Sequence, residues 1–199
     1  MSVTAQDVKT LRDRTGAGMM ECKRALEEAE GDADKAIEVL RVKGQAKAAK
    51  RGEREATEGI IGHYVHFNGR VGALVEVDCE TDFVARNDEF ANFARDVAIH
   101  IASAAPRWVS EEEVPEDERS RELAIFEAKA DESKPPEVRK KIAEGRLRKW
   151  LEETVLLNQQ HVNADKHAGR TIEQLRAELS ARTGENVVIK RFTRFAVGD

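Results

Sequence analysis

The sequence predicts an α+β fold, with three short helices first and then a core in which helices pack on a small antiparallel sheet. Three observations carry this. Residues 1–50 hold three helix-length apolar stripes separated by Gly16 and Gly31. Asn68-Gly69 then divides two β-patterned stretches, a strong hairpin signal. The chain closes on the β-rich run Val187 to Ala196, placed to add a third strand to that hairpin. The spacing divides the chain into a helical domain over 1–50, a basic linker over 51–58 and an α+β core over 59–199.

In the first domain, Val8 and Leu11 give helix one its apolar face, and Thr15-Gly16 stops it with a residue suited to a left-handed cap. Cys22, Ala25, Leu26 and Ala29 turn the second helix inward, and Gly31 ends it. Asp32 is a natural N-cap for the third, whose stripe is Ala36, Ile37 and Leu40 and whose predicted end is Gly44. A Gly-Ala-Gly-Met-Met loop, 16–20, joins the first two helices. From Gln45 to Glu58 the composition shifts to alanine and charge. With Arg41, Lys43, Lys47, Lys50, Arg51 and Arg54 this is the most basic part of the chain. It reads as a solvated linker or helix end, with a direct partner contact as the alternative.

The core opens with strands over Ile60–Phe67 and Arg70–Asp78, joined at Asn68-Gly69, where a tight turn calls for positive φ at both residues. Val71, Ala73, Val75 and Val77 alternate with Gly72, Leu74, Glu76 and Asp78, the period of a half-buried strand. A helix follows from about Asn87, its cap, with Asp88 and Glu89 complementing the dipole and Phe90, Phe93, Val97 and Ile101 forming the stripe. Ser110-Glu111-Glu112-Glu113 reads as a capping box. Leu123 and Phe126 mark another helix. Pro135-Pro136 enters the next, striped by Leu147, Trp150, Leu151 and Thr154. Gln159 to Arg170 is polar and reads as loop. Thr171-Ile172-Glu173-Gln174 is a second capping box before Ile172, Leu175 and Leu179, and Thr183-Gly184 ends that helix.

At 199 residues the chain is long enough to bury a sizeable core. Its formal net charge of −5 argues against a general nucleic-acid binder. It holds no apolar run of membrane-spanning length and no charged-then-apolar leader, so a cytoplasmic protein is expected. Cys22 and Cys79 share no metal or redox spacing and read as two reduced thiols. His63 and His66 point to opposite faces of a predicted strand, and His100, His161 and His167 have no partners at ligand spacing. There is no phosphate-cradling Gly-rich loop, no nucleophile elbow and no distinguished carboxylate pair. The sequence therefore predicts a binding protein without metal or cofactor, and not an enzyme.

The most informative stretch is Cys79-Glu80-Thr81-Asp82-Phe83-Val84-Ala85-Arg86-Asn87, where the strand gives way to the helix. An exposed Asp-Phe pair at a rigid corner can wedge its ring between a partner's apolar elements, while the carboxylate repels or competes with phosphate or metal-bound oxygens. Periodicity leaves two placements for Phe83. In a helix begun at Thr81 it would sit seven residues before Phe90 and share its buried stripe; otherwise it faces out. Met19 and Met20 are likewise split, since neighbours on a helix lie about 100° apart and both cannot face one core.

Four motifs in order resemble one family: Thr15-Gly16-Ala17-Gly18-Met19-Met20, the corner Cys79 to Asn87, Glu144-Gly145-Arg146-Leu147, and Gly184-Glu185-Asn186-Val187-Val188. Together they are similar to the bacterial elongation factor Ts family, guanine-nucleotide exchange factors for elongation factor Tu, in its short form. The likeness weakens only over 159–170. It implies that residues 1–50 form a ubiquitin-associated-like domain and that the core completes itself with a second copy, as a homodimer. It implies a wedge of Thr81, Asp82, Phe83 and Val84 that disturbs the Mg²⁺ and phosphate site of elongation factor Tu, with Phe83 exposed. It adds partner contacts at Lys9, Arg12, Met19, Met20 and Lys23. The implied partner is elongation factor Tu, GDP-bound and nucleotide-free, with no nucleotide bound by this chain and no membrane or nucleic acid engaged. An RNA- or ribosome-binding protein using Arg41 to Arg54, and a peptide-binding adaptor using 1–50, are the alternatives.

Overall fold

The computed structural model describes residues 3–131 and 133–199. They form nine α-helices and three strands: α1 Ala5–Thr15, α2 Met19–Glu28, α3 Ala33–Arg51, β1 Glu58–Val65, β2 Val71–Cys79, α4 Asp82–Ala85, α5 Asp88–Ala104, α6 Glu116–Ala128, α7 Pro136–Thr154, α8 Ala164–His167, α9 Ile172–Thr183 and β3 Val188–Ala196. The strands make one antiparallel sheet in the order β1-β2-β3. The fold is α+β, as the patterning predicts. Its contacts group into two compact units, one of 1–60, 77–92 and 174–188, the other of 61–76, 93–173 and 189–199.

In the first unit, Val8 and Leu11 of α1, Cys22, Ala25, Leu26 and Ala29 of α2 and its end, and Ala36 of α3 close a small core of their own. Gly16 caps α1 at φ 68°, its N–H donating to Arg12 O at 2.7 Å. Asp32 caps α3 by accepting from Asp34 N at 3.0 Å and Lys35 N at 3.1 Å. Two expectations are corrected here. Met19 and Met20 open α2 and are not part of the preceding loop. Gly44 does not end α3, which runs to Arg51. A helical glycine costs only about 1 kcal/mol relative to alanine, and a Cβ at Gly44 would lie 3.7 Å from Ala181 Cβ of α9. Packing of α3 on α9 therefore carries the helix through.

In the second unit, Gly62 of β1 lies against α5, where a Cβ would come within 2.4 Å of Ala94 O. Phe93, Ala94, Val97, Ala98 and Ile101 of α5 are buried at the predicted helical spacing. The strands start and stop one or two residues from their predicted bounds, and the hairpin turn is not the predicted type. Gly69 has φ 68°, but Asn68 is not in the positive-φ region. Gly69 N donates to His66 O and His66 N to Val71 O, both at 2.8 Å, while Asn68 Oδ1 accepts from Arg70 N at 3.0 Å. A longer loop with one left-handed residue replaces the two-residue turn.

The predicted box at Ser110 is also absent. Residues Glu111–Glu113 form a single 3-10 turn with no cap from the Ser110 side chain, and Glu113 Oε2 instead accepts from Val109 N at 2.9 Å. α6 and α7 form a helical hairpin, with Pro136 in the first turn of α7. Near its base, Leu147, Trp150 and Leu151 pack with Trp108, Val114 and Val155. The 159–170 segment is not all loop. It contains the short α8 and buries Gln159, His161 and His167.

Candidate functional site

β2 ends at Cys79, and the chain turns into the four-residue helix α4. Thr81, extended at φ −132° and ψ 154°, is its N-cap, with its hydroxyl oxygen accepting from Val84 N at 3.5 Å. Ala85 N donates to Thr81 O and Arg86 N to Asp82 O. The helix then breaks at Arg86 and Asn87, and Asn87 Oδ1 restarts it by accepting from Glu89 N at 2.8 Å. That break decides where Phe83 points. In one unbroken helix Phe83 and Phe90 would share a stripe, but two helices have independent phases. Phe83 is 82% exposed while Phe90 is fully buried. Within α4, Ala85 turns inward, and Phe83 lies roughly 200° around the turn from it. Val84 is half-buried. Half-buried Asp82 pairs with its own exposed Arg86 at 3.0 Å, a solvent-accessible pair worth little energy and easily exchanged.

The segment before α4 is held by a residue far away in sequence. Glu185 follows α9 and accepts at Oε2 from Glu80 N at 3.0 Å and Thr81 N at 3.1 Å, and at Oε1 from the Thr81 hydroxyl at 2.6 Å. Glu80 Oε1 in turn accepts from Asn186 N at 2.6 Å, and Asn186 Nδ2 donates to Arg54 O at 2.8 Å. Gly184 to Val188 is one of the four motifs of the likeness, and nothing local in it assigns Glu185 a task. The available signal was an acid just past a glycine-stopped helix. Beside this network burial, then the Glu185 charge, pushes the Cys79 thiol up to about 11, which keeps it protonated and unreactive.

The other predicted partner residues lie on α1 and α2. Lys9 and Arg12, one turn apart on α1, are exposed. On α2, Met19 is 45% and Met20 60% exposed. Lys23, also exposed, makes an i,i+4 ion pair with Glu27 at 3.8 Å. The core beneath these side chains is formed by Val8, Leu11, Cys22 and Leu26.

The basic stretch is largely engaged within the chain. Lys43 pairs with Glu28 and Lys47 with Glu21. Arg41 reaches Gln174, Arg51 donates to Ser180 O at 3.1 Å, and Arg54 meets Glu80 at 3.4 Å.

His100, His161 and His167, which their spacing leaves apart, come together in a row, with Asp96 beside His161 and His167. The rings of His100 and His161 are 5.4 Å apart, and those of His161 and His167 4.1 Å. His100 Nδ1 accepts from Val162 N and His161 Nδ1 from Asn163 N, so each carries its proton on Nε2. Those protons go to Gln159 Oε1 at 2.8 Å and Asp96 O at 3.1 Å. Burial pushes His100 down to about 4 and lowers His161 and His167 as well. The bonding of His100 and His161 is that of structural ties, and His167 Nε2 lies 3.3 Å from Asp96 Oδ2. Among the described residues no group of three or more His, Cys, Asp or Glu is placed to hold a metal ion, and no helix is long and apolar enough to cross a membrane.

The family model described as Elongation factor TS matches residues 5–199. The chain is 52% identical to the elongation factor Ts of Carboxydothermus hydrogenoformans over 198 residues, covering 99% of this chain and 90% of that protein. It is 50% identical to that of Thermosipho melanesiensis over 99% of this chain and 100% of the relative. It is also 50% identical to that of Geobacter metallireducens, over 100% of this chain and 91% of the relative.

Proposed function

The chain belongs to the elongation factor Ts family of translation elongation factors, and from that premise we propose that it binds elongation factor Tu–GDP and drives GDP release. Such a partner holds its nucleotide through phosphate-cradling backbone amides and a Mg²⁺ ion. A factor that favours a partner state in which those groups are displaced weakens the nucleotide, and the nucleotide weakens the factor's binding by the same ratio. GTP then reloads the nucleotide-free partner. Exchange of this kind requires a rigid protrusion and no active site, nucleotide site or cofactor in the factor itself.

The observation that carries the reading is Phe83, a large apolar ring 82% exposed at a corner anchored on the far side by Glu185. The ring inserts between apolar elements of the partner's nucleotide domain, and Asp82, one residue before it, bears on the Mg²⁺ and phosphate oxygens. Thr81 caps the turn, and Val84 follows the ring half-buried. Lys9, Arg12, Met19, Met20 and Lys23 supply a second contact, for which two adaptable exposed methionines are suited. Residues 1–50, with their own apolar cluster, act as the ubiquitin-associated-like partner-binding domain, linked through 51–58 to the 59–199 core. The protein works in the cytoplasm. The internal ion pairs of the basic stretch speak against the RNA-binding alternative.

We extend the reading to a homodimer. The sheet face away from α5 exposes Ile61 at 56%, Val65 at 66%, Leu74 at 48% and Phe195 at 70%, an apolar surface that a second copy would cover.

Release of a fluorescent GDP analogue from elongation factor Tu, followed with and without this protein, tests the function. Accelerated release supports it. Unchanged release together with salt-sensitive RNA binding overturns it in favour of the RNA reading.

A further inference from the structure

We infer that Glu185 is the positioning residue of the exchange wedge, holding the Thr81 corner so that Phe83 meets the partner at a fixed angle. The inference rests on the exchange reading above and adds a residue whose carboxylate is engaged by Glu80 and Thr81 and acts through that corner.

A four-residue helix cannot hold itself in water. Starting a turn carries a statistical penalty of roughly a thousandfold, and α4 adds too few bonds to recover it. The turn must be held from outside, and three donors show where. Beyond the end of β2 the backbone N–H groups of Glu80 and Thr81 have left the strand ladder, and both converge on Glu185 Oε2. The Thr81 hydroxyl donates to Oε1 of the same carboxylate at 2.6 Å. That hydroxyl oxygen is also the α4 cap, so one carboxylate fixes both the entry of the turn and the orientation of the cap.

The carboxylate is itself immobilised. Gly184, at φ 77°, lifts the chain off α9. Ser180, fully buried on α9, donates its hydroxyl to Glu185 O at 2.6 Å, and Thr183 Oγ1 accepts from Glu185 N at 3.4 Å. The bonds are also reciprocal: Glu80 Oε1 accepts from Asn186 N while Glu185 accepts from Glu80 N. This is the logic of a capping box closed across 105 residues of sequence. The same Ser180 offers its carbonyl to Arg51 at the end of α3, so the brace continues from the wedge corner through α9 to the N-terminal helices.

The experiment compares wild type, Glu185→Gln, Glu185→Ala, Phe83→Ala and the Phe83→Ala/Glu185→Ala double variant. Release of fluorescent GDP from elongation factor Tu is measured across factor concentration, with thermal unfolding in parallel. Glu185→Ala lowers the release rate at saturating factor by roughly tenfold, the scale of lost charge-assisted bonds, while the half-saturating concentration moves by less than about twofold. Glu185→Gln, which keeps the shape and part of the bonding, falls between it and wild type. The double variant releases within about twofold of Phe83→Ala alone, because Glu185 acts through the ring. A full saturating rate in Glu185→Ala beside a slow Phe83→Ala overturns the positioning role and leaves the wedge standing. Full additivity in the double variant also overturns it. A full rate in Phe83→Ala removes the wedge that the inference builds on, and no acceleration by the wild type defeats the exchange reading beneath it. If Glu185→Ala fails to fold, Glu185→Gln decides, and a wild-type rate in that variant overturns the inference.

Discussion

Phe83→Ala separates the two placements that periodicity left open, because they differ in sign as well as size. A phenylalanine inside its own core costs about 3–5 kcal/mol of stability on truncation to alanine. At 82% exposed, Phe83 has little to lose, so the variant unfolds within about 0.5 kcal/mol of wild type. In the complex the account reverses. Full burial of such a side chain is worth about 1.5–3 kcal/mol, and the exposed fraction leaves about 1.2–2.5 kcal/mol to be gained on docking. Loss of that contact corresponds to roughly one to two decades in coupling to the nucleotide. The assay is stopped-flow release of a fluorescent GDP analogue from elongation factor Tu, paired with thermal unfolding of the free factor. Unslowed release with intact folding refutes the wedge. A fall of several kcal/mol in stability refutes the exposed placement on which it depends.

Replacing Met19 and Met20 by alanine weakens half-saturation of elongation factor Tu by roughly tenfold with little change in the saturating release rate, read from the same titration. Thermal stability falls as the pH drops from about 6.5 towards 4. The buried His100 titrates near 4 in the fold and near 6.5 once unfolded, so acid protons bind the unfolded chain first. For that one ring the loss is on the order of 3 kcal/mol, and a His100→Gln variant shows a flatter profile of unfolding temperature against pH. His161 and His167, also held low by burial, act in the same direction. Light scattering on a size-exclusion column gives the mass of a dimer, and Val65→Glu with Phe195→Glu, which place charge on the exposed sheet face, returns it to a monomer. A wild-type monomer at all concentrations removes the second-copy proposal.

Much of the fold was legible because it rests on short-range rules. Alternation marked β2, glycines marked the ends of α1 and α9, and Asp32 and Asn87 marked helix starts, since a cap or pleat involves residues within four positions of each other. The errors came where a second element competes for the same group. Glu113 answers Val109 N instead of closing a box on Ser110. Gly44 stays helical because α9 packs against it. The histidines met only through folding, as His100 is on α5 and the other two follow α7.

The candidate site divides along the same line. Residue types and order, an acid and an aromatic after a strand with a threonine cap before them, are written in Thr81 to Val84, within one of the four motifs that together carry the family likeness. The direction of the ring is not, since it follows from a helix break at Arg86 and Asn87 and from a carboxylate 104 residues downstream of Thr81. Local bonding energies differ by less between a continuous and a broken helix than the long-range bonds that choose between them, and only the folded chain brings those partners within reach.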